Sequence, residues 1–441
     1  MYRQIWALAW PTVLYSVLEL SLGLADLIMV RGLGQEATAA IGLARQITFL
    51  LEATALAIAT GVITLVSQGV GAGNRQQVDG VIHQSTRLVF LLGLPVTLCG
   101  YLASRPLLVA LQATAETVTH GVPYLHVYFL GTLFLWGNVI SAAILRGTGD
   151  AMTPLKLATA VSLLNVILNY VFIFGVGPLP PYDVAGAAIG TVAARAVGCA
   201  LYLALLARGT DHARLRFRPW WGLDWTLIRR ILRIGMSPAL AGIARNGARL
   251  VFLAMLGASA LGASMHAAVG VGLQVRLLSV LPALAFQIAI ATLVGQAIGG
   301  GRLDRAEALG HRGVQLLSLI MLGVVAVTFL LAGPLAAVFI ADPEVATLGA
   351  TVLRWFAVAQ LFSSVSIGTQ GALTGAGDTR PILRYTLVTQ WGLLLSLTFI
   401  LLVGFAWEPE GPLLAWVLAP LVQLILMQRL FRSGRWKRLR V

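Results

Sequence analysis

The sequence predicts an all-α integral membrane protein of twelve transmembrane helices. They form two six-helix lobes related by a pseudo-two-fold axis along the membrane normal. Three observations carry this prediction. Of 441 residues, 58% are hydrophobic and only 11% charged, with a mean hydropathy of +0.86; a soluble domain is about 25% charged. Apolar runs close to the ~20 residues that cross a bilayer recur along the chain. Three motif pairs also repeat at one spacing. "AAIGLARQ" from Ala39 pairs with "AAVGVGLQ" from Ala267, "QGVGAG" from Gln68 with "QAIGGG" from Gln296, and "LRGTGD" from Leu145 with "LTGAGD" from Leu373, each 228 residues apart.

The twelve apolar runs fall at 4–31, 37–70, 81–103, 120–145, 154–177, 183–208, 233–257, 262–298, 312–333, 344–373, 381–404 and 412–430. Gly- and Pro-rich punctuation such as "GAGN", "GVGPLPP" and "EPEGP" separates most of them. The first run follows a single arginine, Arg3, and exceeds a signal-peptide core, so it reads as an uncleaved span. An even number of spans puts both termini on one side. With the N-terminus cytoplasmic, 23 Lys and Arg residues lie in or beside cytoplasmic segments and only Arg31 and Arg105 lie outside. This asymmetry predicts a multi-pass protein of the cell's inner (cytoplasmic) membrane with both termini in the cytoplasm. Six spans per half make the repeats parallel. The expected domains are an N-terminal lobe at 1–208, a basic linker at 209–230, a C-terminal lobe at 231–430 and a basic tail at 431–441.

Several function classes drop out. The net charge of +14 sits mostly between apolar runs, where it orients the chain and does not suggest nucleic acid. The two lysines, Lys156 and Lys437, are not followed by Ser or Thr, so no P-loop is present. Cys99 and Cys199 are isolated and suggest neither a metal site nor a disulfide. No clustered His, Asp and Glu motif or nucleophile–base pair supports an enzyme.

The halves differ where chemistry is expected. Glu19, Asp26 and Glu52 are the acids placed inside spans, and all lie in the first half; every acid of the second half is expected in a loop. At the offset of 228 the three acids meet Gly247, Ala254 and Val280; Asn165, Asn169 and Thr191 meet Leu393, Leu397 and Ala419. A six-helix bundle of this kind therefore forms without those polar groups. An intramembrane carboxylate costs about 2.5–3.5 kcal/mol on insertion scales and marks an ion or proton path. Asp26 is the sharpest candidate; its alternative is a structural ion pair with an intramembrane arginine. Glu19, two helical turns earlier, shares its face and could bracket a polar cavity, snorkel or pair. Asn165 and Asn169 share a face of span 5 and could hold Asp26, coordinate a cation or bond across helices. In the second half, Arg245 and Arg249 share a face of span 7 and Arg276 lies in span 8. They could pair with first-half acids, contact anionic substrate groups or contact lipid.

"WP" at Trp10–Pro11, "LADLIMVRGLG" from Leu24, "LRGTGD" with Pro154 soon after, "NVILNY" from Asn165 and "VAGAAIGT" from Val184 together resemble the multidrug and toxic compound extrusion (MATE) family, most closely its DNA-damage-inducible protein F-like branch. The resemblance covers essentially the whole chain. It implies a secondary antiporter whose lobes alternate access and which exports drugs, toxins or metabolites against H⁺, with Na⁺ as the alternative ion. It implies a cation-coupling site at Asp26, Asn165 and Thr191; Asn169 matches a position that is acidic in some members, a departure that favours H⁺. Glu19 joins the site on the helical spacing alone. Pro11 matches a span 1 proline where a bend has been proposed, and Arg245, Arg249 and Arg276 are the candidate contacts of the substrate cleft. The intramembrane arginines keep a second reading open, a flippase for a lipid-linked precursor or an exporter of an anionic metabolite. The expected partners are small-molecule substrates and the bilayer, with no nucleic acid. No cofactor is expected, no metal beyond Na⁺ at Asp26, and the protein is expected to be a monomer.

Overall fold

The structure, a computed structural model, describes residues 1–209, 213, 222–258 and 261–438, the side chain of Leu50 excepted. Most of the expected linker at 209–230 and the last residues of the expected tail lie outside the described residues. The described chain is almost wholly helical. The helices of the first half are α1 (Tyr2–Arg31), α2 (Gln35–Gly71), α3 (Arg75–Ala110), α4 (Ala115–Leu130), α5 (Thr132–Thr148), α6 (Met152–Phe174) and α7 (Asp183–Arg208). The second half runs α8 (Trp225–Gly257), α9 (Gly262–Gly299), α10 (Leu303–Leu330), α11 (Ala332–Phe339) and α12 (Pro343–Gly375). Next come α13 (Arg380–Thr386) and α14 (Ser396–Phe399), joined and extended by π-helical turns up to Gly404, and then α15 (Glu410–Arg432). Eleven stretches are long and apolar enough to cross a membrane, and α4 with α5 makes a twelfth.

Three details differ from the sequence expectation. The fourth span is broken: α4 and α5 meet at Gly131 with a bend of 49°. A Cβ there would crowd Val192 of α7, at 2.9 Å from its Cγ1, so the glycine lets α7 into the bend. The helices are also longer than the bilayer needs. α2 and α9 hold 37 and 38 residues, or about 55 Å each at 1.5 Å per residue, against a hydrocarbon core of about 30 Å. Helices of the second half likewise begin before the expected spans, so Asp304, Glu344 and Glu410 sit in first turns of helices and Glu307 just after one, not in loops. Finally, α8 starts at Trp225, inside the stretch expected to be linker.

The chain divides into two compact units, Leu14–Gly235, called the first unit, and Met1–Val13 with Met236–Val441, the second. Each unit takes the start of a helix from the other half of the sequence. In the second unit, Trp6 of α1 packs on Phe286 and the Tyr2 hydroxyl donates to Gln315 at 3.1 Å. In the first, the start of α8 lies against α2: Gly61 faces the Ile231 backbone and Gly235 faces the Ala57 backbone, one helical turn on. Both helices carry an interior proline near the changeover, Pro11 in α1 and Pro238 in α8. An interior proline removes a backbone hydrogen bond, here to the carbonyls of Ala7 and Ile234, and loosens the helix locally.

Replacing Gly235 by Val should dislodge the start of α8 from α2, since a Cβ would fall 2.6 Å from the Ala57 carbonyl carbon. Overpacking of this kind costs about 1–3 kcal/mol. Thermal unfolding in detergent should show a lowered midpoint, and new protease cleavage should map to residues 222–235. An unchanged midpoint would contradict the packing.

Candidate functional site

The site is built where three helices of the first unit present polar residues at matching depth. Asp26 stands five residues from the end of α1, Asn169 five and Asn165 nine from the end of α6, and Thr191 eight from the start of α7. At 1.5 Å per residue this places them in one layer, about 8–14 Å below the helix ends. Glu19 and Arg195 stand twelve residues in and form a second layer, at about 18 Å.

α6 and α7 come close because α7 presents Gly186 and Gly190 to α6, a small-xxx-small arrangement of the type that brings membrane helices into backbone contact. A Cβ on Gly190 would fall 2.7 Å from the Asn169 amide nitrogen, and one on Gly186 would fall 2.7 Å from that of Ile173. Asn165 and Asn169 are consequently shut in, 1% and 0% exposed. Buried amides need partners, and they find them along one chain of hydrogen bonds. Asn169 Nδ2 donates to Asp26 Oδ1 at 2.7 Å and to Asn165 Oδ1 at 3.2 Å; Asn165 Nδ2 donates to Thr191 Oγ1 at 3.1 Å. Asn169 Oδ1 is buried with no hydrogen-bond partner among the described residues. Beyond this layer Val30, Ile173 and Val184, all essentially unexposed, belong to an apolar core that packs the ends of the helices.

The four residues Asp26, Asn165, Asn169 and Thr191 thus meet in one cluster. Asp26 makes no ion pair among the described residues; the arginine pairing considered for it belongs to Glu19, whose Oε2 accepts from Arg195 Nη2 at 2.7 Å. Glu19 therefore flanks the cluster and is not a member of its hydrogen-bond chain. Glu52 accepts a long bond of 3.4 Å from the Tyr128 hydroxyl. Arg45 of α2 donates to the carbonyl of Gly23, between the two acids of α1. Arg195 and Arg45 are the site neighbours that sequence reasoning left without a role. The spacing could have found Arg195: it lies four residues after Thr191, as Asn169 lies four after Asn165. Nothing in the sequence marks Arg45, whose partner is a main-chain carbonyl.

The remaining candidates lie in the second unit. Pro11 interrupts α1 as expected. Arg276 Nε donates to Gln360 Oε1 at 3.1 Å, and its guanidinium lies 5.5 Å from the Trp416 ring centroid. Arg245 and Arg249 are half-buried on α8. None of the three forms an ion pair among the described residues. Where the first unit ties α1 to α6 through Asp26 and Asn169, the second ties α8 to the π-helical turn through Trp391 Nε1, which donates to the Ala244 carbonyl at 2.9 Å.

Comparison with known proteins fixes the family. The MatE family model matches residues 11–171 and 242–400, one block in each half. The chain belongs to the MatE family. Its relatives are transporters, and it is a multi-pass membrane transporter of that family, not an enzyme by kinship. It is similar to a probable multidrug resistance protein NorM of Thermotoga maritima, 26% identical over 439 residues, covering 99% of this chain and 93% of the relative. It is also similar to an FAD transporter of Shewanella oneidensis, 26% identical over 349 residues, covering 78% and 75%. Among solved structures, a MOP superfamily transporter from Pyrococcus furiosus superposes with a TM-score of 0.90 at 22% identity, covering 99% of this chain and 97% of that one. That likeness establishes the twelve-span, two-lobe MATE fold.

The packing of this MatE chain can be tested at two points. Gly190→Val should push α6 from α7, lower the unfolding midpoint by an amount matching about 1–3 kcal/mol, and abolish whatever function the cluster serves. A variant as stable and active as the wild type would contradict the close approach. Glu19→Gln should destabilise the protein by leaving Arg195 unpaired. Because Glu19 is 32% exposed, the loss should stay below the about 3–5 kcal/mol of a fully buried pair. Adding Arg195→Gln should restore part of it, and strictly additive losses would rule the pair out as a coupled unit.

Proposed function

We propose that this MatE chain is a secondary antiporter of the inner membrane, both termini cytoplasmic, that exports amphipathic organic compounds in exchange for H⁺. Asp26 carries the proton, with Asn165, Asn169 and Thr191 around it, and the two lobes alternate access. The observation that carries this reading is the bonding of Asp26. Its carboxylate accepts from an amide and has no salt bridge among the described residues to pin its charge. A proton arriving on Asp26 brings a donor to a cluster whose buried Asn169 Oδ1 lacks one. H⁺ is preferred to Na⁺ on charge: the cluster holds one carboxylate, and its other members, Asn165, Asn169 and Thr191, are neutral.

Export follows from linkage. A ligand shifts a two-state transporter only by its differential affinity for the two states. Proton and substrate that favour opposite states therefore exchange. Glu19 and Arg195, one layer deeper, hold each other's charge and leave Asp26 without an ion pair among the described residues. Pro11 lies near the point where α1 passes from one compact unit into the other, and supplies the bend. The names of the relatives, multidrug resistance protein and FAD transporter, are in keeping with export of bulky, partly aromatic solutes.

The test is transport in everted vesicles, read with a cationic dye (ethidium) and an anionic flavin (flavin mononucleotide). A pH gradient should drive accumulation of at least one of them, a Na⁺ gradient of neither, and Asp26→Asn should reduce the pH-driven signal at least about tenfold with unchanged protein level. Undiminished accumulation in Asp26→Asn would reject the assignment, and Na⁺-driven transport would replace the ion.

A further inference from the structure

The second unit lacks the acids of the first but keeps three arginines at membrane depth. Arg249 and Arg245 stand eight and twelve residues before the end of α8, and Arg276 fourteen after the start of α9. The two helix ends adjoin in sequence, so the guanidinium-bearing positions lie about 12–21 Å from them. One of them, Arg276, lies against a buried aromatic cluster. Trp416 stacks on Phe356 at 4.9 Å and packs on Phe252 at 4.7 Å. Phe252 is on the face of α8 that carries Arg249 and Arg245, three and seven residues earlier, and Arg276 lies over the same Trp416 ring. Arg245 and Arg249 are close enough to Arg276 to act on it electrostatically.

Three cations within electrostatic reach repel one another and are costly at this depth. In the first unit Arg195 has Glu19 to balance its charge, though its Nε is buried without a partner among the described residues, and Arg45 has a carbonyl. In the second, no acid offsets the three among the described residues, where the ion pairs of this half all involve Glu307. Arg249 Nε is buried without a partner among those residues. Arg276 is held by its Nε on Gln360, and Gln360 is itself held by Ser364 at 3.0 Å. That anchoring leaves the terminal nitrogens of Arg276 without hydrogen bonds to the described residues and beside a narrow cleft lined by Ser279, Thr328 and Phe356. A fixed, outward-turned guanidinium fork is the geometry that receives carboxylate and phosphate oxygens. The repeat gives these cations no structural precedent: at the offset of 228, Arg245, Arg249 and Arg276 meet Val17, Ser21 and Thr48, all uncharged.

We infer that Arg245, Arg249 and Arg276 form an anion site that binds the phosphate or carboxylate group of an amphipathic molecule, reached through the cleft beside Arg276. This rests on the proposed export function and names its substrate class: compounds carrying a phosphate or carboxylate group. A phospholipid headgroup presents the same chemistry, so the test separates the two sources.

Purified protein in phosphatidylcholine nanodiscs is titrated, without any gradient, with riboflavin and with flavin mononucleotide, which share a ring system and differ by a phosphate. Flavin mononucleotide should bind at least about tenfold more tightly. Arg276→Gln and Arg245→Gln should each remove that preference, while Arg276→Lys keeps part of it. The unfolding midpoint of Arg245→Gln should not fall, because a cation without an ion pair among the described residues is being removed; a purely structural role predicts a fall. The second arm replaces a third of the lipid by phosphatidylglycerol and measures its enrichment around the protein. Arginine-dependent discrimination in the flavin arm assigns the site to substrate, and in the lipid arm alone to the headgroup. Its absence from both arms overturns the anion site. Asp26→Asn is carried in parallel: binding is read at equilibrium, so a failure of proton coupling leaves this result standing, and the reverse also holds.

Discussion

The close approach of α6 and α7 at Gly186 and Gly190 is the constraint on which the rest of the first unit depends. A bilayer offers no water to satisfy a buried amide, so polar groups there must bond to one another. With glycine at both contacts, Asn165 and Asn169 are shut between the helices, and their side-chain nitrogens can turn only to Asp26, Thr191 and each other. The carboxylate is thereby positioned by a rigid helix pair and not by a flexible loop. A β-branched residue at either glycine would separate the helices and break the chain of bonds at its middle. Positioning and packing are one requirement here.

The division of labour between the repeats follows from the same constraint. Each half builds a six-span bundle, yet the acids at membrane depth belong to one, and Arg245, Arg249 and Arg276, without ion pairs among the described residues, belong to the other. In the first unit the charged side chains of the site are committed: Glu19 to Arg195, Arg45 to a carbonyl, Asp26 to an amide. The amide, unlike a guanidinium, brings no opposite charge to the acid it holds. In the second unit the polar link between α8 and the segment after α13 is made by an indole, Trp391, on a main-chain carbonyl, and nothing titratable takes part. Matched helices are thus joined by an amide–carboxylate contact in one repeat and an indole–carbonyl contact in the other.

Much of this was legible in the sequence. Apolar runs marked the spans, the offset of 228 marked the halves, and helical spacing put Asp26 with Glu19 and Asn165 with Asn169 on shared faces. What the sequence left open was three-dimensional. Glu19 and Asp26 share a face, but only the depth of Arg195 on α7 decides which acid is paired. The break at Gly131 was invisible because its cause, Val192, lies on a distant helix. The exchanged helix starts, Met1–Val13 and the stretch up to Gly235, cut across the boundaries that hydropathy suggests, since hydropathy reports depth and not neighbours. The arginines were visible as costly, but the placement of Arg276 over Trp416 depends on how α9 and α15 pack.

The central claim is that Asp26 is the group that exchanges a proton when substrate binds. The most direct measurement is proton release from purified protein in lightly buffered detergent solution, followed with a pH indicator as a transported compound is added. The account predicts release from the wild type that saturates with the compound, close to one proton per binding event, and none from Asp26→Asn although it still binds. Equal release from both proteins would contradict it.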